Sequence, residues 1–214
     1  MIQGGRRGMH GFATDGAGLV RVILLPSPAD TRFGSGITHK MPPGDRPQPA
    51  LENISMSIAI GDKIPAATLK IMGAKGPEDI STDTLFAGKK VVLFAVPGAF
   101  TPGCTVTHLP GYVVLADKIK AKGVDSIVCL SVNDAFVMDA WGKSQNADEI
   151  LMVGDGNGAF TKAVGLELDA TGFGMGTRSR RYAMIVDKGV VTHLAVEPAG
   201  GIVESAAEAI LAKL

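Results

Sequence analysis

Lys90-Val91-Val92-Leu93-Phe94-Ala95-Val96-Pro97-Gly98-Ala99-Phe100-Thr101-Pro102-Gly103-Cys104 is the stretch that decides how this chain is read. Its first seven residues, 90–96, are an apolar, β-branched run of the length of a buried strand. Residues 105–122 carry a helical pattern. Residues 97–104 are therefore a strand-to-helix turn that sets one cysteine on a helix's first turn. Thr101 is a good N-cap, and Pro102 suits the first helical position, where a missing N–H costs nothing. Cys104 then falls at the third helical residue, among unpaired backbone N–H groups at the positive end of the dipole. That environment favours thiolate over thiol. A free cysteine is only about 3% thiolate at neutral pH, whereas one tuned to a pKa of roughly 6 is about 90% thiolate. The competing reading is a small buried hydrophobe, the commonest fate of a free cysteine. The Thr-Pro-Gly-Cys cap favours the reactive reading, as do glycines that let backbone approach a ligand. Gly103 is the substrate-binding candidate among those glycines.

Composition sets the outer limits. The 214 residues include 28 Gly and carry zero formal net charge, which suits one globular domain of about 150 residues plus an extension. Zero net charge gives no argument for nucleic acid or an anionic membrane. Two cysteines, Cys104 and Cys129, make no disulfide framework, so a reducing compartment is expected. No apolar run approaches the length of a membrane span; Gly18 to Pro26 is interrupted by Arg21. Residues 1–55 are rich in Gly, Pro and Arg and hold no sustained period. Three readings of them stay open: a disordered accessory extension, a targeting segment, and a translation start at Met56. Arginines at 6, 7, 21, 32 and 46 suit targeting, while Asp15, Asp30, Asp45 and Glu52 do not. The expected location is the cytoplasm, with mitochondrion or plastid as the alternative if the segment is an address. Asn53-Ile54-Ser55 matches a glycosylation sequon and is read as chance.

From Met56 the pattern becomes regular. Expected strands are 66–71, 90–96, 124–132, 150–153, 181–186 and 190–196, the last two joined by a turn at Asp187-Lys188-Gly189. Residues 79–88 read as a polar connection with a helical turn at 83–86. Expected helices are 105–122, split or kinked by Pro110, then 134–145 with Asn133 or Asp134 as cap, 158–164 and 204–214. Phe136, Val137, Ala140 and Trp141 are assigned one face of the second helix. The order is β, then β-α-β-α-β-α, then a hairpin and a closing helix. That is the α/β thioredoxin-like plan, a central mixed sheet flanked by helices.

Several motifs weaken on inspection. Gly154-Asp155-Gly156-Asn157-Gly158 lacks a P-loop lysine and fails EF-hand spacing, so it reads as a plain strand-to-helix turn. Cys104 and Cys129 lack metal-pair spacing, and neither metal nor cofactor is expected. His108 lies four residues after Cys104 on the same helix side, but no acid partner accompanies it. A hydrogen-bonding or surface histidine is preferred there to a general base. Thr101 stands where a disulfide oxidoreductase on this fold would carry its second cysteine. A sulfur beside a hydroxyl cannot close that disulfide, but it can attack an O–O bond while donors hold the peroxide oxygens. Arg178, Arg180 and Arg181 precede a strand that should neighbour the one leading into Cys104. Arg181 is assigned to the thiolate and to the incipient alkoxide, and the other two to a solvated turn.

With Pro97, Thr101, Cys104 and Arg181 in place, the chain resembles the peroxiredoxin family, whose signature is Pro-x-x-x-Thr-x-x-Cys. Pro97 to Gly111, Cys129 to Val137 and Arg181 to Asp187 are similar to its peroxiredoxin-5-like, type II (redoxin) branch. The likeness runs from residue 57 to 214 and does not cover 1–55. The resemblance implies a thiol-dependent peroxidase acting on hydrogen peroxide and alkyl hydroperoxides. Cys104 would become a sulfenic acid, Thr101 would hydrogen-bond the peroxide, and Pro97 would shield the pocket. Arg181 and the Cys104 N–H would stabilise the transition state. A homodimer is implied too. Some members carry a resolving cysteine in the stretch after Val-Glu-Pro, whereas residues 196–205 here hold none. The expectation is a one-cysteine cycle, with glutathione and glutaredoxin, or thioredoxin, as reductant. An internal Cys104–Cys129 disulfide is the weaker option. The competing class is a non-catalytic thioredoxin-like redox-sensing, chaperone or binding protein, which consumes no peroxide and keeps its function in Cys104→Ser.

Overall fold

In the computed structural model, which describes residues 57–198 and 200–214, the run at 90–96 is a strand near the middle of a seven-stranded sheet. The readings placed on residues 1–55, the sequon among them, lie outside the described residues. In chain order, β1 (Thr68–Gly73) and β2 (Gly76–Ser81) form a hairpin, followed by α1 (Thr82–Phe86) and β3 (Lys90–Val96). A π-helical turn (Cys104–His108) runs on into α2 (Leu109–Lys120), followed by β4 (Ser126–Ser131), α3 (Ala135–Ser144), β5 (Ile150–Gly154) and α4 (Ala159–Ala163). A small pair, β6 (Glu167–Asp169) and β7 (Thr177–Ser179), precedes β8 (Tyr182–Asp187), β9 (Val190–Val196) and α5 (Ala207–Leu211). The sheet order is β2-β1-β5-β4-β3-β8-β9. The strands β3, β4 and β5 run parallel, and β8 lies antiparallel against β3. The mixed, thioredoxin-like sheet expected from the element order is therefore present.

Alternation along β3 explains the two-sided core. Val92, Phe94 and Val96 face one side with Ile127, Cys129 and Ile185, covered by Tyr112, Trp141 and Ile210 from α2, α3 and α5. Val91, Leu93 and Ala95 face the other with Leu130 and Met184, covered by Phe86 and Phe160 from α1 and α4. A strand covered on both faces reads as an unbroken apolar run, which is why 90–96 was legible.

Several expectations need correction. β2 (Gly76–Ser81) overlaps the connection expected at 79–88; it is polar and carries Pro77, and it lies at the sheet edge, where both are tolerated. The pair β6 and β7 was missed, being two three-residue strands off the main sheet. Pro110 marks a change of helix type rather than a gap: Cys104–His108 is a short π-helical segment, with Leu109 N–H donating to Cys104 O five residues back, and α2 continues from Leu109. In α3 the buried residues are Ala135, Met138, Trp141 and Gly142, while Phe136 is 64% exposed. Asp134, not Asn133, is the cap, accepting from Val137 N–H at 2.9 Å. α5 is shorter than 204–214, spanning Ala207–Leu211, and ahead of it the Val203 and Ser205 N–H groups donate to the Glu197 carboxylate.

Candidate active site

Cys104 is positioned by the end of β3 and by neighbours that fix the loop after it. Asn133, just beyond β4, accepts from Ala99 N–H at 3.0 Å and from the Ser131 hydroxyl at 2.8 Å. Phe100 adopts the left-handed backbone region, φ 61°, an uncommon conformation for an aromatic residue. Its ring tilts against Trp141 with centroids 6.5 Å apart, and Trp141 Nε1 donates to Thr105 Oγ1 at 3.2 Å. Thr101 O accepts from Thr105 N–H at 3.0 Å, so the chain enters the helix where the Thr-Pro-Gly-Cys reading put it.

The Thr101 hydroxyl lies 2.9 Å from Cys104 Sγ and 2.9 Å from Gly98 O. In the antiparallel register of β3 and β8, Tyr182 lies opposite Ala95, so Arg181 falls at the same sheet end as Pro97. Its Nη2 donates to Cys104 Sγ at 3.4 Å. A Cβ at Gly103 would lie in ordinary contact with Arg181 Nη2 at 3.5 Å and Ile202 Cδ1 at 3.4 Å, which places Gly103 directly beside the guanidinium. A Cβ at Gly98 would press on Thr101 Cγ2 at 3.1 Å. Pro97 is half-buried and directly follows β3. The sulfur itself is fully buried, with half-buried Thr101, Gly103 and Arg181 about it. The fold thus provides a buried sulfur held by two donors, with half-exposed residues around it, rather than an exposed thiol.

His108 is not a surface histidine: it is 1% exposed, and its ring meets Phe94 edge-on at 5.2 Å. Arg181 Nη1 lies 3.0 Å from His108 Nδ1. A guanidinium only donates, so Nδ1 must be the acceptor and the ring is the neutral Nε2–H form. That Nε2 donates to Ser205 O at 3.0 Å, with the Ser205 hydroxyl at 3.2 Å. The His108 pKa is lowered from 6.5 to about 4, chiefly by burial and also by the Arg181 charge, against the raising effects of the Ser205 bond and Glu197. With both nitrogens engaged, His108 has none left to act as base toward Cys104. Arg178 departs from the expected solvated turn: its Nε donates to Met175 O at 2.9 Å and its Nη1 to Val132 O at 3.0 Å. Arg180 is exposed, as expected.

Asn133 and Ser205 were missed as site residues. Asn133 lies in the stretch from Cys129 to Val137, where the sequence marks it only as a candidate helix cap, whereas nothing local in the sequence marks Ser205.

The redoxin family model matches residues 59–211. The chain belongs to the redoxin family. This redoxin is a peroxiredoxin of the type II, peroxiredoxin-5-like branch, and a thiol-dependent peroxidase. It is 46% identical to peroxiredoxin-2E, chloroplastic, of Arabidopsis thaliana, over 75% of this chain and 71% of that protein. Reduced Prx3 from Vibrio vulnificus, solved in complex with H2O2, is 61% identical, with TM-score 0.71 over 73% of this chain and 98% of that one. Peroxiredoxin 5 from Alvinella pompejana is 38% identical, with TM-score 0.65 over 72% of this chain and 96% of that one. The non-catalytic reading is not favoured by these likenesses.

Proposed function

We propose that Cys104 is the peroxidatic nucleophile of this redoxin, with Thr101 and Arg181 as its catalytic partners. One observation carries this: a single free sulfur receives a hydroxyl at 2.9 Å and a guanidinium at 3.4 Å. The sulfur attacks the distal oxygen of a hydroperoxide. The S–O bond forms as the O–O bond breaks, and the electron pair leaves on the proximal oxygen, which takes a proton to become water or an alcohol. Arg181 stabilises the sulfur anion first and the departing oxyanion next, where a preorganised charge is worth most. The Thr101 hydroxyl orients the peroxide. Pro97 and Gly103 shape the entry, Pro97 by keeping water out and Gly103 by lying directly beside the guanidinium. The H2O2 complex of the 61% identical relative supports a peroxide-sized substrate.

The product is Cys104 sulfenic acid. A reductant thiol displaces water from it to give a mixed disulfide, and a second thiol releases Cys104. Cys129 is a poor candidate for the first of these steps. It is fully buried in mid β4, and burial pushes its thiol well up, with Cys104 adding to the rise. We therefore propose a one-cysteine cycle with an external thiol, glutathione with glutaredoxin or else thioredoxin. Peptide mapping without reductant, after one equivalent of peroxide, tests it: a Cys104–Cys129 crosslink removes the proposal. The site assignment is tested by peroxide consumption with a thiol reductant, expected to be lost in Cys104→Ser. Retained turnover there sinks it.

Phe100 and Val106 beside the site are 54% and 76% exposed, apolar surface that supports a homodimer. Sedimentation at micromolar concentration giving a monomer alone would exclude it. For residues 1–55 we propose an accessory extension on a cytoplasmic enzyme, with plastid targeting as the alternative that the Arabidopsis relative's name supports. Fusing those residues to a fluorescent protein distinguishes the two.

A further inference from the structure

We infer that Glu197, on the turn after β9, is a positioning residue for Arg181, acting through Ser205 and His108 in a closed hydrogen-bond ring. The carboxylate is 4% exposed, an unusual place for a glutamate in a chain whose other acids are mostly solvated. Its own N–H donates to the backbone O of Arg181 at 2.9 Å. Its Oε1 accepts from Val203 N–H at 2.6 Å, Ser205 N–H at 2.7 Å and the Ser205 hydroxyl at 2.9 Å. These three bonds pin residues 203–205 outside α5. Gly201 allows the close approach, since a Cβ there would sit 2.6 Å from Glu197 Oε2.

Ser205, so fixed, presents its carbonyl to His108 Nε2 and to the Tyr112 hydroxyl, at 3.0 and 2.8 Å. His108 is thereby set in one tautomer, and its Nδ1 receives Arg181 Nη1 at 3.0 Å. The ring starts at the Arg181 backbone and returns to the Arg181 guanidinium. Each member donates in one direction and accepts from the other, so the bonds reinforce one another. A guanidinium on a long flexible stem is otherwise free among many rotamers, and this ring selects the one that leaves Nη2 on the sulfur. Residues 203–205, pinned by Glu197, thus serve to hold the arginine.

The inference rests on Arg181 being a catalytic partner of Cys104, and a double-mutant cycle separates the two claims. The readout is the rate constant for peroxide consumption by the fully reduced protein, in wild type, Glu197→Ala, Arg181→Ala and the double variant. Alone, Glu197→Ala is expected to lower the rate about tenfold; on top of Arg181→Ala it should cost less than about twofold. Glu197→Gln keeps an acceptor oxygen and should recover most of the loss. If Glu197→Ala does not fold, Glu197→Asp, whose shorter side chain withdraws the carboxylate from Val203 and Ser205, takes its place in the cycle, with its loss again expected only where Arg181 is present. Equal losses in both backgrounds, or a folded Glu197→Ala at the wild-type rate, overturn the positioning role and leave Arg181 standing. A wild-type rate in Arg181→Ala overturns both.

Discussion

Thr101 has one hydroxyl proton and two acceptors, Gly98 O and Cys104 Sγ, each 2.9 Å away. Against a neutral thiol the proton can rest on the carbonyl; against an anionic sulfur it is drawn across, because a charged acceptor makes the stronger bond. Removing it in Thr101→Val should slow peroxide reduction about ten- to hundredfold, the worth of one hydrogen bond to a charged group. Thr101→Ser should keep most of the rate; equal rates for the two variants would deny the hydroxyl its role. At Arg181 the geometry demands two donors at once, one for Cys104 and one for His108. Arg181→Lys offers a single ammonium and cannot span both. It should fall nearly as far as Arg181→Ala, about a hundredfold or more by stopped-flow peroxide consumption.

The helix that bears Cys104 was legible, its widening was not. Thr101, Pro102 and the apolar period announced a helix start, and Pro110 announced trouble within it. Whether a proline breaks a helix or is absorbed by a π turn depends on what the neighbouring turn packs against, here Phe94, Tyr112 and Arg181. The same holds for Asn133: the sequence marked it as a cap, and only the approach of the β3 loop to β4 turned it into the loop's anchor. Asn133→Ala leaves a backbone N–H and a serine hydroxyl without their acceptor, and should cost about 1–3 kcal/mol by urea unfolding. At α4, Asp155 plays the role expected of a strand-to-helix turn. Its carboxylate accepts from Phe160 and Thr161 N–H at 3.2 and 2.8 Å. Asp155→Ala should cost about 1–2 kcal/mol and leave peroxide turnover per folded molecule unchanged.

The whole molecule carries an acid-sensitive element in His108. Burial holds its pKa at about 4 against 6.5 in the unfolded chain. Between those values the unfolded chain binds a proton that the folded chain refuses, so stability is complete above pH 6.5 and is lost as pH falls toward 4. The loss amounts to roughly 3 kcal/mol. Urea unfolding at several pH values should show that slope in wild type and a flatter one in His108→Gln. His193, also held low, is present in both proteins and cancels in the difference. Parallel curves would refute the assignment. By itself the chain determined what local rules control: a doubly covered strand, a helix start at Pro102, a cysteine three residues into it, and a hairpin turn whose Lys188 and Gly189 take positive φ of 50° and 83°. Those features depend on residues adjacent in sequence. Tertiary structure alone decided that His108, Ser205 and Glu197, up to 97 residues apart, close a ring on Arg181. A hydrogen bond needs its partners within about 3 Å, and for residues so far apart only the packing of α2, β8 and the turn after β9 brings them that near.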